Sequence, residues 1–456
     1  MRDQIQAAIR HSQADYTEIR IEEKESTRIA FRGRELEIAN ANIDKGGIVR
    51  CLIKNKGWGV ATFNNLDDLL DKVDQACQCA RVGAVAEPIE LAPVEPIEKI
   101  TPVEMQRDFR DVSLAEKKAL AERYNQVLLS HSDRIIDTQS VYSDSFTHLI
   151  LANSEGTYID QEKPSVVVSM QAVARDGDNV QQAHESLATT QGYEYVLDQD
   201  ELARKAASHA VELLAAKPVK AGQYTVVANQ MLAGVFIHEA FGHMSEADFV
   251  YENPKARAMM SLGRRFGKGI LNAFDDGSIP DQRGTTLYDD EGTPARRNWL
   301  IKDGVLVGRL HSRQTAAKMG EAASGNARAI NYRFAPIVRM TNTAIDNGTT
   351  SFDDMLKDIK LGIYACDAYG GETWLENFSF SSGYAYMIRD GKLAEMVKDV
   401  ILAGNLFATL ENIDAIGNDF QWQNTAGGCG KGNQFPLPVG MGAPHVRIQN
   451  VIVGGE

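Results

Sequence analysis

No stretch of this 456-residue chain approaches the ~20 consecutive apolar residues that a helix needs to cross a bilayer, so no membrane span is expected. The N-terminus, MRDQIQAAIRHSQADYTEIR, lacks the apolar run of a signal peptide. Cysteine is scarce: Cys51, Cys77, Cys79, Cys366 and Cys429 are five in number and irregularly spaced, which argues against a disulfide framework. A cytoplasmic protein is the expectation. Positive charge is also short. Forty-eight Lys and Arg stand against 62 Asp and Glu, a formal net charge of −14. The densest basic run, RRFGK at 264–268, reads as a solvated loop. A protein that neutralises nucleic-acid phosphates needs a basic face, so direct nucleic-acid binding is not expected.

What is present is the composition of a soluble globular protein, 43% hydrophobic and 24% charged. The length exceeds one ordinary core and implies two or three domains. The pattern predicts an α+β fold: N-terminal and middle domains of mixed helix and strand, then a mostly β C-terminal domain. Residues 1–82 open with a short helix and continue in period-two strands, YTEIRIEEKESTRIAF and GGIVRCLIKNKGWGVATF. A helix follows. On it Cys77 and Cys79 point about 200° apart, one to the core and one to the surface, so they are not a metal pair. Residues 83–102 carry four prolines and no periodicity, a linker or an extended wrap. The middle domain, 103–217, starts on a helix capped by Ser113 and Glu116. It continues in strands DTQSVYSDSFTHLILA, TYID and PSVVVSMQAVA, and closes on a helix from about Gln199 to Ala216. Residues 218–456 are rich in Gly turns and short strands, with a helix over 230–245 as the exception; Asn229 is its N-cap.

That helix carries FIHEAFGHMSEAD, in which His238, Glu239 and His243 lie within six residues. The zinc-protease helix spells His-Glu-x-x-His, and this motif has one residue too many. Five residues on a regular α-helix rotate about 500°, which leaves the two imidazoles about 140° apart and unable to share an ion. A π-bulge absorbs the extra residue and restores a common face, and such bulges occur mainly at functional sites. Gly242 makes that distortion cheap. Glu239 then stands beside the first histidine, where a general base belongs. Without a bulge, these are two ordinary histidines, one in the core and one at the helix C-terminus.

Catalytic zinc takes three protein ligands and water. The nearby candidates for the third are Glu246, Asp248, Asp289, Asp290 and Glu291; the distant ones are His311, His445, Cys366 and Cys429. Cys429 sits in TAGGCGKGNQ, where glycines strip bulk from around the sulfur. HEAFGH, DDEGTPARRNWLIKDG, SGNARAINYRFAPIVRMTNT and CGKGNQFPLPVGMGAPHVRI together resemble the TldD/PmbA family, specifically its TldD-like branch, over almost the whole chain. The resemblance implies a cytoplasmic zinc metallopeptidase, with Zn²⁺ held by His238, His243 and Cys429, and Glu239 as the catalytic glutamate. It also implies a dimer, either with itself or with a PmbA/TldE-like subunit that lacks the histidine motif, and a short or unfolded peptide as substrate. His311, Arg313, Tyr332 and Tyr384 are candidate oxyanion donors. The competing expectation is a non-catalytic, gyrase-modulator-like regulator that binds protein or peptide and uses the metal as a staple.

Overall fold

The alternation in YTEIRIEEKESTRIAF runs further than expected. In the computed structural model, which describes residues 1–374 and 376–455, helix α1 (Arg2–His11) leads into β1 (Tyr16–Arg32) and β2 (Glu35–Ile53). These two pair antiparallel along nearly their whole length. Residues 35–45 of β2, ELEIANANIDK, are poor in β-branched and aromatic residues and gave no strand signal; pairing with β1 holds them extended. After β3 (Gly57–Phe63) and α2 (Leu69–Val82), Cys77 is buried and Cys79 exposed, as the helical spacing requires.

The segment 83–102 is a wrap. Ile89 N–H donates to Lys54 O at 2.8 Å and Ala92 N–H to Arg313 O at 2.9 Å. Its end forms β4 (Glu98–Thr101). Helix α3 (Leu114–Ser130) follows, capped by the Ser113 hydroxyl, and then β5 (Ile135–Asn153), β6 (Tyr158–Asp176), β7 (Asn179–Thr189) and α4 (Asp200–Ala215). TYID and PSVVVSMQAVA are one strand, β6, not two. Pro164 within it falls between the residues paired with β4, ending at Gln161, and those paired with β7, starting at Val166; a missing donor is tolerated in such a gap.

β1 to β7 form one sheet, ordered β3-β2-β1-β5-β6 with β4 and β7 both along β6. The sheet therefore runs through both of the first two segments, and the division at 82, 102 and 217 stays a proposal. Alternation sends Ile19, Ile21, Ile29 and Phe31 of β1 to one face, where α1 and α2 cover one end and α3 and α4 the other. The opposite face presents Arg20, Glu22, Lys24 and Ser26 towards the C-terminal segment.

That segment is mostly β. A long sheet is ordered 370–374, 377–381, 401–405, 446–454, 222–228, 361–366, 384–389, 392–398, and a second is ordered 305–306, 297–302, 273–276, 342–345, 440–443, 421–423. Helix α5 (Gln230–Ile237) lies between them. Phe236 meets Phe378 and Phe380 of the first sheet, while Gly234 approaches Met441 of the second. The α5 region is not the sole helical exception: Ala247–Glu252, Pro254–Met259, Arg313–Met319, Phe352–Leu356 and Leu406–Glu411 are also helical. Each is too short to show a 3.6-residue period in sequence.

Gly59 of β3 lies against α2 so closely that a Cβ would sit 1.9 Å from the carbonyl oxygen of Ala76. Gly59→Ala should therefore destabilise the protein by about 1–3 kcal/mol, measured as a lower denaturant midpoint. An unchanged midpoint would contradict this packing.

Candidate metal centre

The Asn229 side chain accepts the Leu232 N–H at 2.9 Å and starts α5 at the predicted cap. The α-helix ends at Ile237, and His238–Gly242 form one π-helical turn, closed by the His243 N–H donating to the His238 carbonyl. That five-residue bond absorbs the surplus residue of the motif. The His238 and His243 ring centroids lie 5.4 Å apart, nearly perpendicular at 80°. The reason for Gly242 differs from expectation. Its φ of −57° and ψ of −51° are ordinary helical values, so no backbone freedom is used. A side chain there is excluded because its Cβ would stand 2.1 Å from Met340 Sδ.

Cys429 reaches the same place from the other end of the segment. It begins a hairpin, Cys429–Lys431 with Gln434–Leu437. Gly432 and Asn433 make the turn at φ of 56° and 63°, the left-handed pair of a tight two-residue hairpin. Arg339, fully buried, donates from Nη2 to the Cys429 carbonyl at 2.7 Å and from Nη1 to the Gln434 carbonyl at 3.2 Å. It fixes the hairpin against the strand ending at Val338. Cys429 Sγ then lies 3.2 Å from His243 Nε2. One donor atom from each of His238, His243 and Cys429 falls within 4.8 Å of the others.

The remaining candidates divide around this cluster. Glu246 Oε2 accepts from His243 Nδ1 at 3.1 Å and pairs with Lys431 Nζ at 2.9 Å, behind the ring. Asp248 binds the same ammonium at 2.6 Å. Asp289, Asp290 and Glu291 are buried elsewhere, accepting backbone N–H groups of Ala327, Ala329 and Arg313. His311 engages Thr315 and Glu321, His445 engages Asp419 and Tyr364, and Cys366 is buried in a strand. The four oxyanion candidates are drawn into other contacts: His311 as above, Arg313 with Ala92 and Glu155, Tyr332 with Asp44 and Asn64, Tyr384 against His209. Arg339 and Lys431, which support the site, have partners remote in sequence and so no local pattern. An arginine inside the apolar FAPIVRM is the available signal, because a buried guanidinium demands partners.

The donor set suits a metal. Burial pushes the Cys429 thiol up, but hydrogen bonds and positive charge from His238 and His243 more than reverse this and bring it down to about 5. Burial likewise lowers His243, and the Glu246 carboxylate and Cys429 sulfur raise it well above the usual imidazole range. Glu246 is held at about 2: burial raises it, and Lys431 and His243 outweigh that. Nδ1 of His238 is buried with no hydrogen-bond partner among the described residues. A thiolate and two imidazoles, one of them with an orphaned ring nitrogen, fit a soft-to-borderline cation such as zinc. Glu239 completes the surroundings. Its Oε2 lies 3.8 Å from His243 Nε2, and its side chain retains 31% exposure.

Comparison with known proteins gives this arrangement a lineage. Residues 17–80, 107–214 and 221–455 match, in turn, domain 1, the central domain and the C-terminal domain of the PmbA/TldA metallopeptidases. A metalloprotease of Synechocystis is 47% identical over 98% of this chain and 96% of its own. A zinc metalloprotease TldD homolog of Saccharolobus solfataricus is 28% identical over 97% of both chains. Two crystal structures share the fold: a Thermotoga maritima protein described as a candidate modulator of a DNA gyrase (TM-score 0.81, 22% identity, 99% of each chain) and TldE from Thermococcus kodakarensis (TM-score 0.78, 19% identity, 100% of each chain). The chain belongs to the TldD/PmbA family of metallopeptidases.

In metal-free protein, thiolate absorbance should titrate with a midpoint near the value of about 5 given by His238 and His243, and this step should vanish in Cys429→Ala. The linked stability is fully present above the ordinary thiol pKa of about 8.5 and is lost as pH falls through the lowered value. A midpoint at the ordinary thiol pKa would contradict the geometry.

Proposed function

We propose that the protein is a zinc-dependent peptidase that hydrolyses short or unfolded peptides, with Glu239 as general base. The observation that carries this reading is the placement of Glu239 Oε2, 3.8 Å from the His243 nitrogen that itself lies 3.2 Å from Cys429 Sγ. The half-exposed carboxylate borders a three-donor set instead of joining it, as expected of a site that keeps one position open. His238, His243 and Cys429 would hold the zinc, which would supply Lewis-acid activation for a water and the scissile carbonyl. Glu239 Oε2 takes a proton from the attacking water and later delivers it to the leaving amine. Glu246, through His243 Nδ1, fixes the orientation of that ring.

The strand Gly370–Trp374 ends its sheet and packs beside the π-helical turn. An extended peptide added to this edge by backbone hydrogen bonds is read by conformation, which favours unfolded chains of varied sequence. The protein works in the cytoplasm as a homodimer or with a TldE-like subunit; the shared fold with TldE supports the second arrangement. The regulator reading, with metal as a staple, calls for four protein ligands. Glu246, the nearest additional acid, is turned to His243 Nδ1 and Lys431, which favours the enzyme.

Roughly one zinc per chain is expected, lost in Cys429→Ala. Full zinc in that variant with activity intact would reject the thiolate ligand. Glu239→Gln should keep zinc, fold and peptide binding while cleavage falls by about 10²–10⁴-fold, the usual worth of a general base. Equal cleavage by the variant and the wild type would remove Glu239 from the mechanism.

A further inference from the structure

The sheet face opposite the helices is polar along its middle. Register places Lys24, Thr147 and Lys163 in one cross-strand row and Ser26, Ser145 and Ser165 in the next, all on the side that looks at the C-terminal segment. Arg283 closes over this face from that segment, donating from Nη1 to Ser165 Oγ. Its backbone N–H donates to Asn424 Oδ1 at 2.9 Å, at the start of the loop that leads to Cys429. The carbonyl of Asn424 in turn accepts the Ala188 N–H of β7 at 2.9 Å. Asn424 thus ties the sheet to the loop that carries Cys429.

The charges on this sheet face do not cancel. Glu22 is paired with Arg20 at 3.0 Å, Asp44 with Arg333 at 2.6 Å, and Asp290 stands 3.6 Å from Lys163. Lys24 and Arg283 have no carboxylate within 4.0 Å among the described residues. Nε of Arg283 is also buried without a hydrogen-bond partner. The surrounding protein lowers Lys24, with Glu22 and Asp44 offsetting part of this, and burial followed by the nearby Arg328 brings Arg283 down to about 10. A buried guanidinium nitrogen without a partner, beside a lysine without an ion pair, favours the arrival of an anion. Lys24 keeps its access to solvent, so one can.

We propose that this basic, hydroxyl-bearing sheet face beside Arg283 binds a carboxylate of the peptide, either an acidic side chain or the chain terminus, and gives the enzyme a preference for acidic peptides. The proposal rests on the peptidase reading above. A planar guanidinium beside hydroxyl donors matches carboxylate geometry. The net charge of −14 opposes the approach of a long polyanion more than that of a short peptide carrying one carboxylate.

The test uses full-length, zinc-loaded protein and four short peptides of one sequence: Glu or Gln at the variable positions, each with a free or amidated C-terminus. Binding is read by fluorescence anisotropy on Glu239→Gln, and cleavage on the wild type. A carboxylate should tighten binding about tenfold, less at high salt. A preference that follows Glu assigns the side chain, and one that follows amidation assigns the terminus. Lys24→Met, at an exposed position whose side chain makes no hydrogen bond among the described residues, should abolish the preference, measured relative to the neutral amidated peptide on the same variant; Lys24→Arg should retain it. Equal binding of all four peptides would overturn the proposal. So would an unaltered preference in Lys24→Met, or displacement of the peptide more readily by a single-stranded oligonucleotide than by the acidic peptide. Preference without cleavage would sink the peptidase and leave the carboxylate site, and cleavage without preference would do the reverse.

Discussion

One backbone hydrogen bond, His243 N–H to His238 O, sets the geometry on which the site depends. With a regular α-helical bond in its place, two imidazoles five residues apart face away from each other and no ion can join them. The widened turn is held from several sides. Phe241 packs against Phe266, Met340 fills the space that a residue larger than Gly242 would need, and the Ser245 hydroxyl donates to the Phe241 carbonyl at 2.9 Å. The unusual helix is stable because its surroundings over-determine it, which is how strained or rare backbone persists at functional sites.

The second half of the site is a long-range construction. His243 and Cys429 lie 186 residues apart in the chain, and two cations, the buried Arg339 and the part-buried Lys431, bridge that distance in space. Arg339 holds the backbone of the Cys429 hairpin, and Lys431, two residues beyond the cysteine, reaches back to Glu246 and Asp248 beside the helix. The same Glu246 carboxylate that receives Lys431 also receives His243. Ring orientation and hairpin position are thus set by one carboxylate, and a change at either end is felt at the other.

Much of this is legible in the sequence, and for identifiable reasons. Local signals carried the helix starts at Asn229 and Ser113 and the opposed faces of Cys77 and Cys79, because caps and period depend on neighbours in the chain. The π-turn was legible too, since the five-residue spacing leaves a regular helix no way to make a shared site. Strand residues 35–45 were not, because Asn and Ala adopt that conformation through pairing with β1 and not through their own preference. The supports Arg339 and Lys431 were missed for a similar reason: their partners are remote in sequence. Gly242 was noticed for the wrong property, flexibility in place of small size. Short helices of five to seven residues escape any period-based reading.

Everything proposed for this site requires three donors, two imidazoles and one thiolate, to share one ion. Zinc-edge X-ray absorption on the purified, zinc-loaded protein measures this directly. The account predicts one sulfur at about 2.3 Å and two imidazole nitrogens at about 2.0–2.1 Å, with a light, exchangeable oxygen completing the shell. A shell without sulfur, or one closed by a fourth protein ligand, would contradict it.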